Sequence, residues 1–246
     1  MLELRNICFD VPQENGEAGK KEILQDISLK IDDQSFVVIT GPNGGGKSTL
    51  AKIIMGVEKP TSGQIIFCGE DITNDSITER AKKGIGFAFQ QPVRFKGLTV
   101  HDLLKLAAGK ELGCEDACTY LAEVGLCAQD YINRELNASL SGGELKRIEI
   151  AMVIARGTRL SVFDEPEAGI DLWSFQNLIK AFERMRDTTK GSIIIISHQE
   201  RILDIANKIV VIADGQVSQT GEREQILPSL LCGTETCAYY RKGALA

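Results

Sequence analysis

The chain has 246 residues, 43% hydrophobic and 25% charged, with a formal net charge of −6. That balance describes a globular protein able to bury a core without disulfide staples, and it argues against a nucleic acid held by a general basic field. No apolar run is long enough to span a membrane, and the opening MLELRNICFD lacks a cationic region followed by an apolar run, so the expected location is cytoplasmic.

In chain order, LELRNICFDV and KEILQDISLKI read as strands flanking a polar, glycine-containing hairpin loop at 12–21. SFVVIT (35–40) is a continuous apolar run rich in β-branched residues, as a strand buried on both faces requires. GPNGGGKST follows, then LAKIIMGV with helical spacing. GQIIFCGEDI reads as strand and turn, and GIGFAFQ as a short strand. From about Pro92 to Arg156 the character is helical, in TVHDLLKLAAGKEL, EDACTYLAEVGL and GELKRIEIAMVIAR, the last with its helix starting at Glu144. Apolar strands LSVFDEP (160–166) and SIIIISH (192–198) flank the amphipathic DLWSFQNLIKAFERMRDT. KIVVIADGQVSQTG reads as a hairpin turning at Asp214-Gly215, and the last twenty residues as either a small helix or a docked tail. This is an α/β pattern: a mostly parallel sheet, an N-terminal antiparallel β layer, and a helical subdomain at 92–156 inserted in a core of 1–91 and 157–246.

Cys8, Cys68, Cys114, Cys118, Cys127, Cys232 and Cys237 are odd in number and form no CxxC, so reduced structural thiols are expected.

GPNGGGKS (41–48) fits the phosphate-binding loop pattern G-x-x-x-x-G-K-[ST], set between a strand and a helix. Gly41, Pro42, Asn43, Gly44, Gly45 and Gly46 form a loop whose backbone N–H groups can curl around phosphate oxygens, and the helix start adds its dipole. Lys47 reaches the β- and γ-phosphates, Ser48 ligates Mg²⁺, and Thr49 stands in the same first turn. ATP and Mg²⁺ are therefore the expected ligands. Asp164, at the carboxyl end of LSVFDE, holds Mg²⁺ directly or through water. Glu165 is placed to polarise the attacking water as general base. Gln90 closes GFAFQ, where its amide can touch both metal and water; His198 closes SIIIISH, where it can bind the γ-phosphate and orient Glu165. Taken singly, both also read as ordinary polar strand ends. His101 reads as structural.

The ordered set resembles the ATP-binding cassette (ABC) ATPases over almost the whole chain: a Walker A loop at 41–48, a glutamine loop at Gln90, a signature LSGGE at 140–144, a Walker B strand with its glutamate at 160–165, a D-loop ending at Asp171, and a switch histidine at His198. The resemblance implies a P-loop (RecA-like) fold and Mg²⁺-dependent ATP hydrolysis. It also implies a transient head-to-tail homodimer, in which Ser141, Gly142, Gly143 and Asp171 of one copy complete the nucleotide site of the other. The family usually stacks adenine on an aromatic residue before Walker A. That position looks like Val11, with Phe9 facing the core, so loose base selectivity is expected. Between Ser48 and Leu140 there is no heptad run or CxxC, unlike the DNA-repair members.

Within the family, GFAFQQPV (86–93), SGGELKRIEI with Lys146, Arg147 and Glu149, EAGID, and HQERILD are similar to SufC, the ATPase of SUF iron–sulfur cluster assembly. That implies soluble SufB- or SufD-like scaffolds as partners, gripping the helical subdomain and the segment 91–99, where VRFKGL mixes Phe95 with Arg94 and Lys96. The nucleotide-binding subunit of a membrane transporter is the alternative. Two features depart from the SufC type: the long loop at 12–21 and the aromatic pair in LWSF, where Trp173 and Phe175 read either as core or, for Trp173, as a partner or dimer surface. Lys146 is expected either to reach Glu165 in a salt bridge that restrains the base, or to be solvated.

Overall fold

The computed structural model describes residues 1–12, 19–90, 95–136 and 140–232. β1 (Leu2–Pro12) and β2 (Lys20–Ile31) pair antiparallel, joined through residues 13–18, which lie outside the described set along with most of the expected hairpin loop. β3 (Phe36–Thr40) leads into α1 (Lys47–Met55). β4 (Ser62–Phe67) pairs with β1 and with the short β5 (Glu70–Asp71), closing an antiparallel layer of order β2-β1-β4-β5. α2 (Ile77–Lys82) precedes β6 (Ile85–Ala88).

Between β6 and β7 (Leu160–Asp164) the chain is helical: α3 (Val100–Ala108), α4 (Cys114–Glu123), α5 (Ala128–Tyr131) and α6 (Gly142–Arg156). Then come α7 (Leu172–Thr188), β8 (Ser192–Ile196), α8 (Glu200–Asp204), β9 (Lys208–Ala213), β10 (Gln216–Glu222) and α9 (Arg223–Cys232). The second sheet has the order β10-β9-β3-β8-β7-β6, parallel throughout except for the β9–β10 hairpin. That hairpin turns at Asp214 (φ 50°) and Gly215 (φ 76°), the positive pair a two-residue turn demands.

The central strands are apolar on both faces because both faces are covered. Alternate side chains serve different cores. Val37 and Ile39 of β3, with Ile194 and Ile196 of β8, pack toward the antiparallel layer and α1. Phe36 and Val38, with Ile193 and Ile195, pack toward α6 and α7. On that side Phe182 meets Phe163 and Phe36 edge to face, with ring centroids 5.0 and 6.5 Å apart. α6 is buried nearly all round, so its charged residues Lys146 and Arg147 lie inside.

The helical stretch starts later than expected and leaves residues 95–99 as coil and turn, while residues 91–94, including Arg94, lie outside the described set. α2, α5 and α8 were not expected; each is six residues or fewer, too short to show a period. α9 is a helix through residue 232, and the chain from 233, Cys237 included, is outside the described set. No helix among the described residues is long and apolar enough to cross a membrane. Cys8, Cys68, Cys114, Cys118 and Cys127 are free thiols.

Candidate active site

The parallel strands place their carboxyl ends side by side, and the loop 41–46 leaves one of them. Gly41 is required by packing: a Cβ there would sit 2.0 Å from the carbonyl oxygen of Ile212 in β9. Gly46 caps α1 at φ 97°, where a Cβ would press to 2.5 Å on Leu24. With no side chain at that cap, Gly46 offers no acceptor to the first-turn N–H groups of Lys47, Ser48 and Thr49. Lys47 folds back and donates to the carbonyls of Gly41 (2.9 Å) and Pro42 (2.8 Å), while Gly45 N–H closes on Pro42 (3.2 Å). Burial lowers the Lys47 pKa from its ordinary value. The loop including Asn43 and Gly44 is thus a cradle of backbone donors with a cation at its base.

Ser48 Oγ donates to Asp164 Oδ1 at 3.0 Å, bringing a hydroxyl from α1 and a carboxylate from β7 together. Burial raises the pKa of Asp164. A desolvated carboxylate beside a hydroxyl is an all-oxygen donor set of the kind Mg²⁺ takes. Gln90, the other residue expected at the metal, donates its Nε2 to Glu165 Oε2 at 2.6 Å, which engages the amide nitrogen with the carboxylate next to Asp164 in sequence. His198 Nε2 lies 3.9 Å from Glu165 Oε1. Burial, then the neighbouring Lys47, lowers the His198 pKa and favours neutral imidazole. Glu165 itself adopts φ 45°, the left-handed region a non-glycine residue enters only when its surroundings hold it there. Its N–H donates to Ile196 (3.0 Å), and its carbonyl accepts from Ala168 N–H (3.0 Å).

Lys146 fits neither expectation made for it. It is 2% exposed, and its ammonium donates to the backbone carbonyls of Phe89 (2.9 Å) and Glu165 (3.4 Å), not to the Glu165 carboxylate. Burial lowers its pKa. One turn on, Glu149 Oε1 accepts the N–H of Phe89 at 3.0 Å, while Oε2 is buried with no hydrogen-bond partner among the described residues. Burial pushes the Glu149 pKa up to about 7. Two side chains of α6 therefore hold both backbone polar groups of the residue before Gln90. In sequence, Lys146 and Glu149 stand three apart among the apolar and charged residues of ELKRIEI, which fixes neither their burial nor their partners.

The signature stretch lies apart from this cluster. Its helix starts at Gly142, not Glu144, because Ser141 is the N-cap: its Oγ accepts Glu144 N–H at 3.2 Å and Glu144 Oε2 accepts Ser141 N–H at 2.7 Å. Glu144 Oε1 accepts the hydroxyl of Tyr131. Among the described residues beyond its own helix turn, a Cβ added at Gly142 or Gly143 would meet nothing closer than 3.6 Å. Asp171 spends its carboxylate on capping α7, accepting from Trp173 and Ser174 N–H at 3.0 Å each. Those bonds lower its pKa. Phe9 packs on the core of the antiparallel layer, and Val11 is partly exposed.

A sequence model of the family described as ABC transporter matches residues 24–168. The chain is 39% identical over 217 residues to an uncharacterized ABC transporter ATP-binding protein of Methanocaldococcus jannaschii, covering 85% of this chain and 86% of that one. It is 33% identical to a probable ATP-dependent transporter, ycf16, of Pyropia yezoensis, covering 90% and 91%. Its fold is shared with the ATP-binding cassette MJ0796, solved as a dimer in a post-hydrolysis state bound to ADP and Pi, with a TM-score of 0.78 at 24% identity, covering 91% of this chain and 99% of that one.

Proposed function

We propose that this chain, which belongs to the ABC transporter family and is an ATPase, drives SUF-type iron–sulfur cluster assembly in the cytoplasm. ATP closes two copies head to tail, and that motion rearranges SufB- or SufD-like scaffold proteins bound to them. The observation that carries the SUF branch is the position of the residues behind the SufC resemblance. Lys146 and Glu149 are not surface variants: they hold Phe89, beside Gln90, and Lys146 also holds the backbone of Glu165.

In each site Glu165 activates water, with Gln90 and His198 against its two carboxylate oxygens. The backbone of 41–46 with Lys47, Ser48 and Thr49 binds the phosphates. Ser48 and Asp164 would hold Mg²⁺, which supplies positive charge to the phosphate oxygens. The second copy contributes Ser141, Gly142 and Gly143. Asp171 serves as the α7 cap that fixes the loop beside them. The duplication of phosphate-facing surfaces is the support for this: one chain has the loop at 41–46, and Gly142 at the start of α6 is exposed, with no described atom of its own chain nearer than 3.6 Å to where a Cβ would stand.

The scaffold docks on the core–subdomain groove, about 340 Å³, lined by Phe87, Phe89, Phe95, Leu98 and Leu106. The transporter reading shares all of this chemistry and is favoured by the transporter names of both relatives. Co-expression separates the two. The SUF reading expects a stable soluble complex with a scaffold and ATP-dependent cluster formation on it. A stable complex with a transmembrane permease, and none with a scaffold, would overturn it.

A further inference from the structure

α7 buries Phe175, Leu178, Phe182 and Met185 in the core. Its first two residues do the opposite: Leu172 is 65% exposed and Trp173 77%. Trp173 is the only tryptophan of the chain. The turn that carries it is fixed, because the N–H groups of Trp173 and Ser174 are both held by Asp171. That cap uses only backbone N–H, so a polar side chain would satisfy it equally. Nothing local calls for an indole.

The surroundings of the pair point outward as well. The nearest contacts for a Cβ on Gly143 are Ser174 at 3.6 Å and Ile170 at 3.8 Å; for one on Gly142, the carbonyl of Gly169 at 3.6 Å. The starts of α6 and α7 are therefore neighbours, and one strip of surface carries Ser141, Gly142, Leu172 and Trp173. Bare backbone and apolar side chains lie exposed together on it. Two copies of a chain of net charge −6 repel at long range. Closing them takes short-range apolar burial, and tryptophan is among the side chains enriched at such interface hot spots.

We propose that Leu172 and Trp173 are the apolar anchor by which the signature surface of one copy seats on a second copy of this chain. The assignment rests on the head-to-tail site proposed above. The occupant is a second copy and not the scaffold because the strip is continuous with the exposed signature residues Ser141 and Gly142, whereas the apolar groove beside Phe89 is lined by β6, α3 and later turns of α6 and includes none of Ser141, Gly142, Leu172 and Trp173. In the monomer the indole is in water; in the dimer it is buried.

The test uses the full chain carrying Glu165→Gln, so that bound ATP persists. Sedimentation velocity with MgATP is run across protein concentration, alongside tryptophan emission and acrylamide quenching. The expected result is a blue shift and reduced quenching that track dimer formation with the same midpoint. Trp173→Ala in that background should weaken the ATP-dependent dimer at least tenfold, and Trp173→Phe should recover most of it, with monomer ATP binding equal in all three. A dimer that forms with unchanged emission and quenching, or that tolerates Trp173→Ala, overturns this anchor and leaves the two-copy site standing. No dimer at any concentration overturns both.

Discussion

Glu149→Gln is the substitution whose effect can be worked out furthest. Burial moves this carboxyl from 4.5 to about 7, against the pull of Lys146 and the hydrogen bond from Phe89 N–H. The folded state therefore binds a proton that the unfolded chain releases near 4.5. Below that value both states are protonated and the group is neutral to stability. As pH rises from 4.5 to about 7 the folded state loses about 1.4 kcal/mol per pH unit, and above 7 the loss is complete at about 3 kcal/mol. A glutamine keeps an oxygen for Phe89 N–H and carries no charge. Urea unfolding should then show the variant equal to the parent near pH 4 and more stable by up to about 3 kcal/mol near pH 8. Curves that stay parallel across that range would refute burial as the source of the shift.

Other outcomes follow from single contacts. Arg80 is fully buried and donates to the carbonyls of Ile53 (2.6 Å), Ile54 (2.8 Å), Thr73 (3.0 Å) and Asp75 (3.2 Å). Arg80→Met should cost about 3 kcal/mol or more in denaturant unfolding, since those oxygens lose their donor. Glu165→Gln should lower ATP turnover roughly 100-fold to 10,000-fold with nucleotide affinity retained in an equilibrium binding assay; comparable turnover would remove Glu165 as the base. Gly142→Ala should leave the fold as stable or up to about 1 kcal/mol more stable by thermal unfolding, because alanine suits a helix and the space is open. The same variant should lose about 100-fold in ATP turnover, the scale of a lost phosphate-facing donor. Unchanged turnover would sink the role given to the signature glycines.

The parts legible in sequence are those whose cause is local. β3, β7 and β8 announce themselves because a doubly covered strand reads as a near-continuous apolar run. The loop at 41–48 is visible because phosphate binding dictates its spacing. What was not legible depends on pairs far apart in the chain. Gly41 is needed because of Ile212, and Gly46 because of Leu24; a reading from the loop alone assigns both to the phosphates. Asp171 is expected from sequence to complete the site of a second copy; that it also caps α7 shows only in the fold. Lys146 could be placed inside or outside only after α6 was seen to be buried nearly all round.

α6 connects these observations mechanically. Its first turn presents Ser141 and Gly142 to the outside, with Gly143 buried behind them, and its next turns hold Phe89 through Lys146 and Glu149 and the backbone of Glu165 through Lys146. Phe89 is thus tied at both its N–H and its C=O. A displacement of α6 along its axis must carry Phe89, and with it Gln90, or break both bonds and leave a buried carboxylate and a buried ammonium unpaired, which costs several kcal/mol. Carrying them is the cheaper outcome. Gln90 reaches the Glu165 carboxylate at 2.6 Å, so a push on the signature end moves the amide that holds the base. The geometry that looked like two separate motifs in sequence, one at 140–144 and one at Gln90, is one rigid piece in the fold.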